Sequence, residues 1–251
     1  MLKAVSVVAL AALLASCTSG PPRTPLALIE RVLENSPGNA SPGKVVAAEL
    51  AFARAAREQG QWTAFQTFMA PGALLHGRNG PFAAGAWLAS QRDPAEAIEW
   101  APRAVWMSCD GHLAVSRGRS LDPAGLVGSF VTVWQRQQDG EYRWIYDMGA
   151  PDVPQPDPAS QEDDGAIVVL AEEVIQGYVA DCPDPGRPLT APTPLPEPAD
   201  VRSGGGGSPD GTLRWRWEHA ADGTRALVAD YFAEGRWQTA VQQSFAPESA
   251  Q

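Results

Sequence analysis

The sequence predicts an α+β protein in which helices come first and antiparallel strands follow. Between residues 44 and 90, apolar side chains recur every three or four positions, which is the period of an amphipathic helix. Beyond residue 98 the period shortens to two, and Asp-Gly pairs separate the apolar runs, which is typical of β-hairpins. We therefore expect an antiparallel sheet packed on N-terminal helices, followed by an additional C-terminal antiparallel β meander.

Three helices are predicted in the first part of the chain. The first begins after Ser41-Pro42-Gly43 and ends at Gly60, with an apolar stripe at helical spacing along one side. The second covers Gln61 to Met69 and ends before Pro71-Gly72. The third is short, from Phe82 to Ser90, between Gly80-Pro81 and Asp93-Pro94.

Two hairpins are predicted after the helices. In each, an Asp-Gly pair supplies the turn, because both turn positions need a positive φ angle. The flanking runs are 104–109 and 112–121 around Asp110-Gly111, and 126–137 and 141–148 around Asp139-Gly140.

Prolines and glycines divide the remainder of the chain. Prolines at 151, 154, 156 and 158 mark a boundary, after which residues 167–180 are apolar and β-branched enough for a strand. The alternative for Leu170-Ala171-Glu172-Glu173 is a helix. A Pro-rich stretch, 183–198, and the glycine tract Ser203 to Ser208 predict a long flexible loop. A closing meander is expected over the runs 212–219, 225–232 and 237–245.

The N-terminus has the features of a bacterial lipoprotein signal. Lys3 precedes the apolar run Ala4 to Leu14, and Leu14-Ala15-Ser16-Cys17 has the form of a lipobox. Cleavage before Cys17 would leave a cysteine for lipidation, which predicts anchoring in the cell envelope. Thr18 rather than aspartate follows it, which favours the outer membrane and its periplasmic face. The alternatives are a transmembrane anchor, for which the run is short, and an ordinary secreted protein with an incidental cysteine.

These signals define four predicted regions. They are a signal peptide at residues 1–16, a lipidated flexible tether at 17–43, a first domain at 44–150, and a Pro/Gly-rich linker with a β-rich C-terminal extension at 151–251.

The net charge limits the classes of partner that the chain can bind, and the cysteine count indicates its redox compartment. Removal of residues 1–16 removes Lys3 and no acid, so the net charge moves from -10 to -11. Such an acidic chain is not expected to bind nucleic acid. Lipidation of Cys17 leaves Cys109 and Cys182, and this even remainder predicts a disulfide. The alternative is two unpaired buried thiols.

Several motifs between residues 44 and 149 form a recognisable set. They are the helix Glu49-Leu50-Ala51-Phe52-Ala53, Gly60, Ala64-Phe65, Phe68, Pro102, and the strand Gly128-Ser129-Phe130-Val131-Thr132-Val133-Trp134 before Asp139-Gly140 and Trp144. In these motifs the segment resembles the SnoaL-like branch of the nuclear transport factor 2 superfamily, which also holds the ketosteroid isomerases. The resemblance covers under half of the chain and implies a cone-shaped fold, in which a strongly curved antiparallel sheet wraps the helices around an apolar pocket.

Asp147 is the strongest candidate for chemistry, because a carboxylate in the apolar strand Trp144 to Met148 would have a raised pKa. The alternative is that Asp147 has only a structural role, as a turn residue before Gly149. His76 falls where the resemblance places the pocket mouth, whereas His112 and His219 lie beside turns, in settings expected to be exposed. We expect no metal site and no cofactor, because the sequence has no pair of histidines at metal-ligand spacing and no glycine-rich phosphate-binding loop. The predicted pocket residues are Trp62, Phe65, His76, Trp87, Trp134, Tyr146 and Asp147.

Three functions remain open from the sequence. The leading interpretation is a lipid-anchored, non-catalytic protein that binds a small apolar molecule or an envelope partner. The second is an isomerase- or cyclase-like enzyme that uses Asp147 with help from Tyr146 or His76. The third is a structural interaction module in which tryptophans fill the cone. A homodimer is a possible assembly in each case.

Overall fold

A computed structural model describes residues 40–156, 174–184, 189 and 201–247. Cys17, the predicted signal peptide, most of the predicted tether, and the start of the predicted strand 167–180 lie outside these residues. Three helices are described: α1 (Pro42–Gln59), α2 (Gln61–Phe68) and α3 (Ala84–Leu88). Among the described helices, none combines the length and apolarity needed to cross a membrane.

The break between α1 and α2 has a clear local cause. Gly60 adopts a φ of 113°, a backbone conformation that residues other than glycine rarely take. Asp93 then caps α2, since its Oδ1 accepts hydrogen bonds from the backbone N–H groups of Trp62 (2.6 Å) and Thr63 (3.1 Å). The first two predicted helices are thus confirmed; the third is shorter than predicted, because residues 80–83 form a strand.

The first sheet has seven strands in the order β2-β1-β6-β5-β4-β3-β7. The predicted α+β architecture is confirmed, and both hairpins turn at the expected Asp-Gly pairs. Only the glycines, Gly111 and Gly140, have a positive φ (67° and 86°), so the expectation of a positive φ at both turn positions was wrong. Two contacts are parallel, β1 with β6 and β3 with β7, so the sheet is mixed. Its strands are β1 (Met69–Gly77), β2 (Gly80–Ala83), β3 (Glu99–Met107), β4 (Leu113–Leu121), β5 (Val127–Arg136), β6 (Tyr142–Pro151) and β7 (Gln176–Val179).

A second, antiparallel sheet has the order β11-β10-β9-β8. Its strands are β8 (Val201–Gly207), β9 (Leu213–Ala220), β10 (Arg225–Ala233) and β11 (Arg236–Phe245). The meander is as predicted, but the glycine tract, predicted as a flexible loop, is a strand. A Cβ on Gly204 would lie 2.8 Å from the Trp217 ring, and one on Gly205 would lie 2.1 Å from the Trp215 carbonyl oxygen. Glycine is used here because neighbouring groups occupy the space of a side chain.

The two sheets pack face to face around an apolar core. Val115, Val133 and Met148 of the first sheet meet Leu227 and Val241 of the second, and all five are at most 1% exposed. The other face of the first sheet packs against the helices. The seven-stranded sheet is therefore the central layer of the described fold.

The predicted disulfide between Cys109 and Cys182 is present and links positions 73 residues apart. For a loop of this length the chain-entropy model gives about 4 kcal/mol of stabilisation. Next to the bridge, the Cys109 N–H donates to the Thr212 Oγ1 at 3.0 Å. The turn between β3 and β4 and the turn between β8 and β9 also exchange hydrogen bonds. The Asp110 N–H donates to Asp210 Oδ2 at 2.8 Å, and the Asp210 N–H donates to Asp110 Oδ2 at 3.2 Å. This corner holds the second sheet on the first.

Candidate functional site

A cavity of about 580 Å³ lies between the helices and the inner face of the first sheet. Its size falls within the range of small-molecule sites. One wall is aromatic: the Trp62 and Trp87 rings meet edge to face with centroids 5.0 Å apart, and Phe52 meets Trp100 in the same way at 4.8 Å. The aromatic residues that line the cavity are Phe52, Trp62, Phe65, Phe82, Trp87, Trp100 and Phe130.

The cavity reaches solvent at one end. Arg78, Asn79 and Leu126 line this part and are exposed, whereas Phe52 and Glu49, which also line it, are at most 1% exposed. Aromatic side chains therefore surround an open space rather than filling it, and a small apolar molecule can enter from the rim.

Glu49 places a carboxyl group at the buried end of the cavity. It lies on the buried stripe of α1, between Val45 and Phe52. Its Oε1 accepts a hydrogen bond from Trp100 Nε1 at 3.0 Å, and its Oε2 accepts one from Ser116 Oγ at 2.8 Å and one from Trp134 Nε1 at 3.1 Å.

Burial raises the pKa of Glu49 from 4.5 to about 7. The nearby negative charge of Asp147 raises this pKa further, whereas the hydrogen bonds from Ser116, Trp100 and Trp134 lower it because they stabilise the ionised form. Near neutral pH, Glu49 therefore exchanges between its two protonation states.

Asp147 and Asp122 also place carboxyl groups in the lining of the cavity, and of these two the sequence predicts Asp147. Asp147 lies on β6, is partly accessible through the cavity, and its Oδ2 accepts a hydrogen bond from Thr132 Oγ1 at 2.7 Å. Burial raises the pKa of Asp147 to about 6, and the Thr132 hydrogen bond opposes this rise. A carboxylate with a pKa near the working pH is suited to take up and return a proton.

A bulge in β6 determines which residues face the cavity. Trp134 pairs with Trp144, but its neighbour Val133 pairs with Tyr146, so Ile145 is the extra residue. After the bulge, the alternation of side chains between the two faces of the sheet is reversed. Trp144 and Asp147 consequently point towards the helices, whereas Tyr146 points into the core between the sheets.

Two predicted pocket residues, Tyr146 and Trp134, lie outside the cavity lining, and the reversal in β6 accounts for Tyr146. Tyr146 packs against Trp215 of the second sheet, with ring centroids 4.9 Å apart. Trp134 is fully buried beneath Glu49 and binds it through Nε1. Trp62, Phe65, His76, Trp87 and Asp147 do line the cavity.

His76 belongs to a polar cluster that joins the cavity to the second sheet. Its Nδ1 is hydrogen-bonded to the Tyr146 hydroxyl at 2.5 Å, and its Nε2 to His219 Nδ1 at 3.0 Å. Arg225 of β10 donates to the His76 carbonyl oxygen at 3.0 Å and also lines the cavity. The second sheet therefore contributes to this site.

The pKa values of both histidines in this cluster are lowered. Burial lowers the pKa of His76 to about 3, and the adjacent His219, Arg225 and Arg202 lower it further. Burial also lowers the pKa of His219. The expectation that His219 is exposed was wrong, because β9 turns it into the space between the sheets, where it is 8% exposed. His112 is partly exposed beside its turn.

Sequence reasoning missed Glu49 and Arg225 as cavity residues. Glu49 left a signal: a charged residue occupies a position in the apolar stripe of a helix, where burial requires hydrogen-bonding partners. Arg225 left none, because its place depends on how the second sheet packs on the first. Among the described residues, no group of three or more histidine, cysteine or acidic side chains is arranged to hold a metal ion.

No protein-family model matches the chain, and no curated protein matches it significantly. Solved structures that are similar to part of it include a putative ketosteroid isomerase from Parabacteroides distasonis, which is 13% identical, with a TM-score of 0.37, over 48% of this chain and 98% of the other. An NTF2-like protein with a cystatin-like fold from Novosphingobium aromaticivorans is 18% identical, with a TM-score of 0.33, over 50% and 87%. A Δ5-3-ketosteroid isomerase from Mycobacterium sp. is 15% identical, with a TM-score of 0.32, over 44% and 94%. Sequence identities and TM-scores this low give no evidence about the function of this chain.

Proposed function

We propose that the chain is a lipid-anchored protein of the bacterial cell envelope whose cavity binds a small, largely apolar molecule with one polar group. The aromatic cavity of about 580 Å³, open at one end, is the observation that carries the binding proposal. Flat apolar molecules gain from contact with the faces and edges of the Trp62 and Trp87 rings. Glu49 and Asp147 lie where a hydroxyl or carbonyl group of the ligand would need a partner.

The envelope location rests on the sequence alone. Leu14-Ala15-Ser16-Cys17 supports lipidation of Cys17, and Thr18 supports the outer membrane and its periplasmic face. The disulfide between Cys109 and Cys182 is consistent with an oxidising compartment.

Binding can be measured with 2-naphthol, which has a flat apolar body and one hydroxyl group. We expect the purified chain to bind it with a Kd of about 10 μM, and the Trp62→Ala/Trp87→Ala variant to bind about tenfold more weakly. Isothermal titration calorimetry measures both values. Native mass spectrometry of the same preparation would detect a natural ligand that co-purifies.

The matched control is Trp237→Ala, which removes a partly buried tryptophan that packs on Phe232 in the second sheet. Its affinity for 2-naphthol should stay within about twofold of the unmodified chain. Unchanged affinity in the double variant, with its fold intact by circular dichroism, would contradict the proposed site.

Proton transfer is a second candidate function, favoured by the position of Asp147. Its raised pKa and its access to the cavity suit a general base that acts on a ligand with an acidic C–H bond. Glu49, with a pKa of about 7, can supply or hold the second proton. Binding alone requires neither property.

A further inference from the structure

A second cavity, of about 530 Å³, lies on the opposite face of the first sheet. We call it the arginine cleft; the residues that line it are Arg103, Ala104, Arg117, Gly118, Arg119, Ser129, Val174, Gln176 and Gln243. Alternation along β5 separates the two cavities, because Ser129 lines the cleft and Phe130 lines the apolar cavity. The cleft is therefore a different site from the one proposed above.

The strand β4 explains why the cleft is charged. Leu113 and Val115 face the second sheet and belong to the apolar core between the sheets. The next two positions on that face are Arg117 and Arg119, so the apolar interface gives way to guanidinium groups. Arg103 of β3 joins them beside a bulge between Pro102 and Ala104. The described lining contains three arginines, and the one carboxylate described in contact with them is Asp152, which pairs with Arg119.

Two of the arginines are held in position by their neighbours. Arg119 donates from Nη1 to Ser129 Oγ at 2.7 Å and pairs through Nη2 with Asp152 Oδ2 at 2.6 Å. Ser129 Oγ donates in turn to Asp152 Oδ1 at 2.8 Å. Arg117 lies 5.8 Å from the centroid of the Trp106 ring. These contacts orient the guanidinium groups before any ligand arrives, which reduces the entropy cost of binding.

We infer that the arginine cleft binds a small polar molecule that carries a phosphate monoester. A phosphate offers three oxygens that more than one guanidinium fork can share, whereas a monocarboxylate matches a single fork. The side-chain amides of Gln176 and Gln243 can bond the hydroxyl groups of the rest of the molecule. A volume of about 530 Å³ suits an organic phosphate of small-molecule size rather than the inorganic ion alone.

The test is isothermal titration calorimetry of the full chain with glucose 6-phosphate, inorganic phosphate and glucose. Glucose 6-phosphate should bind with a Kd below about 1 mM, inorganic phosphate more weakly, and glucose undetectably. Affinity should fall as salt is raised, because the interaction is ionic. Vesicles that contain phosphatidic acid test the same phosphate chemistry on a lipid headgroup.

Arg117→Gln should weaken binding of glucose 6-phosphate about tenfold or more. Arg236→Gln is the matched control, because it removes the same charge from an exposed position, 73% accessible, that lines neither cavity. Its affinity should change less than about twofold. Arg117→Lys keeps the charge but removes the fork, and provides the comparison if Arg117→Gln does not fold.

Two results would overturn the inference. One is the absence of binding by glucose 6-phosphate, inorganic phosphate and the vesicles alike. The other is an equal loss of affinity in Arg117→Gln and Arg236→Gln, which would indicate a general effect of net charge. Binding to vesicles alone, with the same dependence on Arg117, would support the cleft and identify a lipid headgroup as the source of the phosphate.

Discussion

Gly118→Ala is expected to lower the free energy of unfolding by about 3 kcal/mol, because an added Cβ would overlap two neighbouring groups. A Cβ at this position would lie 2.2 Å from the Ala101 carbonyl oxygen and 2.5 Å from Cε1 of the Phe130 ring. Phe130 could turn aside, but the carbonyl belongs to the neighbouring strand β3. Its displacement would disturb the pairing of β3 with β4, which supports both cavities.

Urea unfolding of the oxidised protein measures this loss as a lower transition midpoint with an unchanged m value. Gly43→Ala is the control, because Gly43 is exposed in the first turn of α1 and the nearest heavy atom to an added Cβ is 3.9 Å away. That variant should be neutral or more stable by up to about 1 kcal/mol. Equal midpoints for the two variants would mean that β3 and β4 are not in the close contact described.

Asp147→Asn is expected to slow proton exchange from a bound ketone by about 10² to 10⁴-fold if the second candidate function is correct. The suitable probe is 2-tetralone, a flat apolar ketone with acidic C–H bonds next to its carbonyl. Asparagine keeps the shape of the side chain and can still contact Thr132, but it cannot take up the proton. The rate of hydrogen–deuterium exchange at these carbons, followed by NMR in D2O, measures the effect.

Asp139→Asn provides a matched control, because Asp139 lies in a hairpin turn where it pairs with Arg143 at 2.8 Å, away from the cavity. Its exchange rate should equal that of the unmodified chain. If the unmodified chain and Asp147→Asn gave the same rate, proton transfer by Asp147 would be excluded and the binding proposal would stand alone.

The hairpins show how much of the fold local sequence can predict. Asp110-Gly111 and Asp139-Gly140 determine their turns through backbone conformation, so β3 to β6 pair where the pattern predicts. The glycine tract shows the limit of such reasoning. Glycine usually favours a loop, but in β8 the Trp215 and Trp217 residues of the next strand occupy the space above it. That packing is not visible from the tract itself.

The candidate site was predictable only in part, for a comparable reason. Asp147 could be identified because it interrupts an apolar strand. Tyr146 was assigned to the wrong face because Ile145 is a bulge residue, and a single extra residue reverses the alternation that follows. The contribution of Arg225 depends on contacts between the two sheets, which no local pattern encodes.

The environment of the apolar cavity raises the pKa values of two of its carboxyl groups, those of Glu49 and Asp147. A pH titration of the side-chain carboxyl carbons by ¹³C NMR, with Glu49→Gln and Asp147→Asn used to assign the signals, measures both values. We predict a pKa of about 7 for Glu49 and about 6 for Asp147. Titration of both groups near their ordinary values of 4.5 and 3.8 would show that water fills the cavity freely, and would contradict the account.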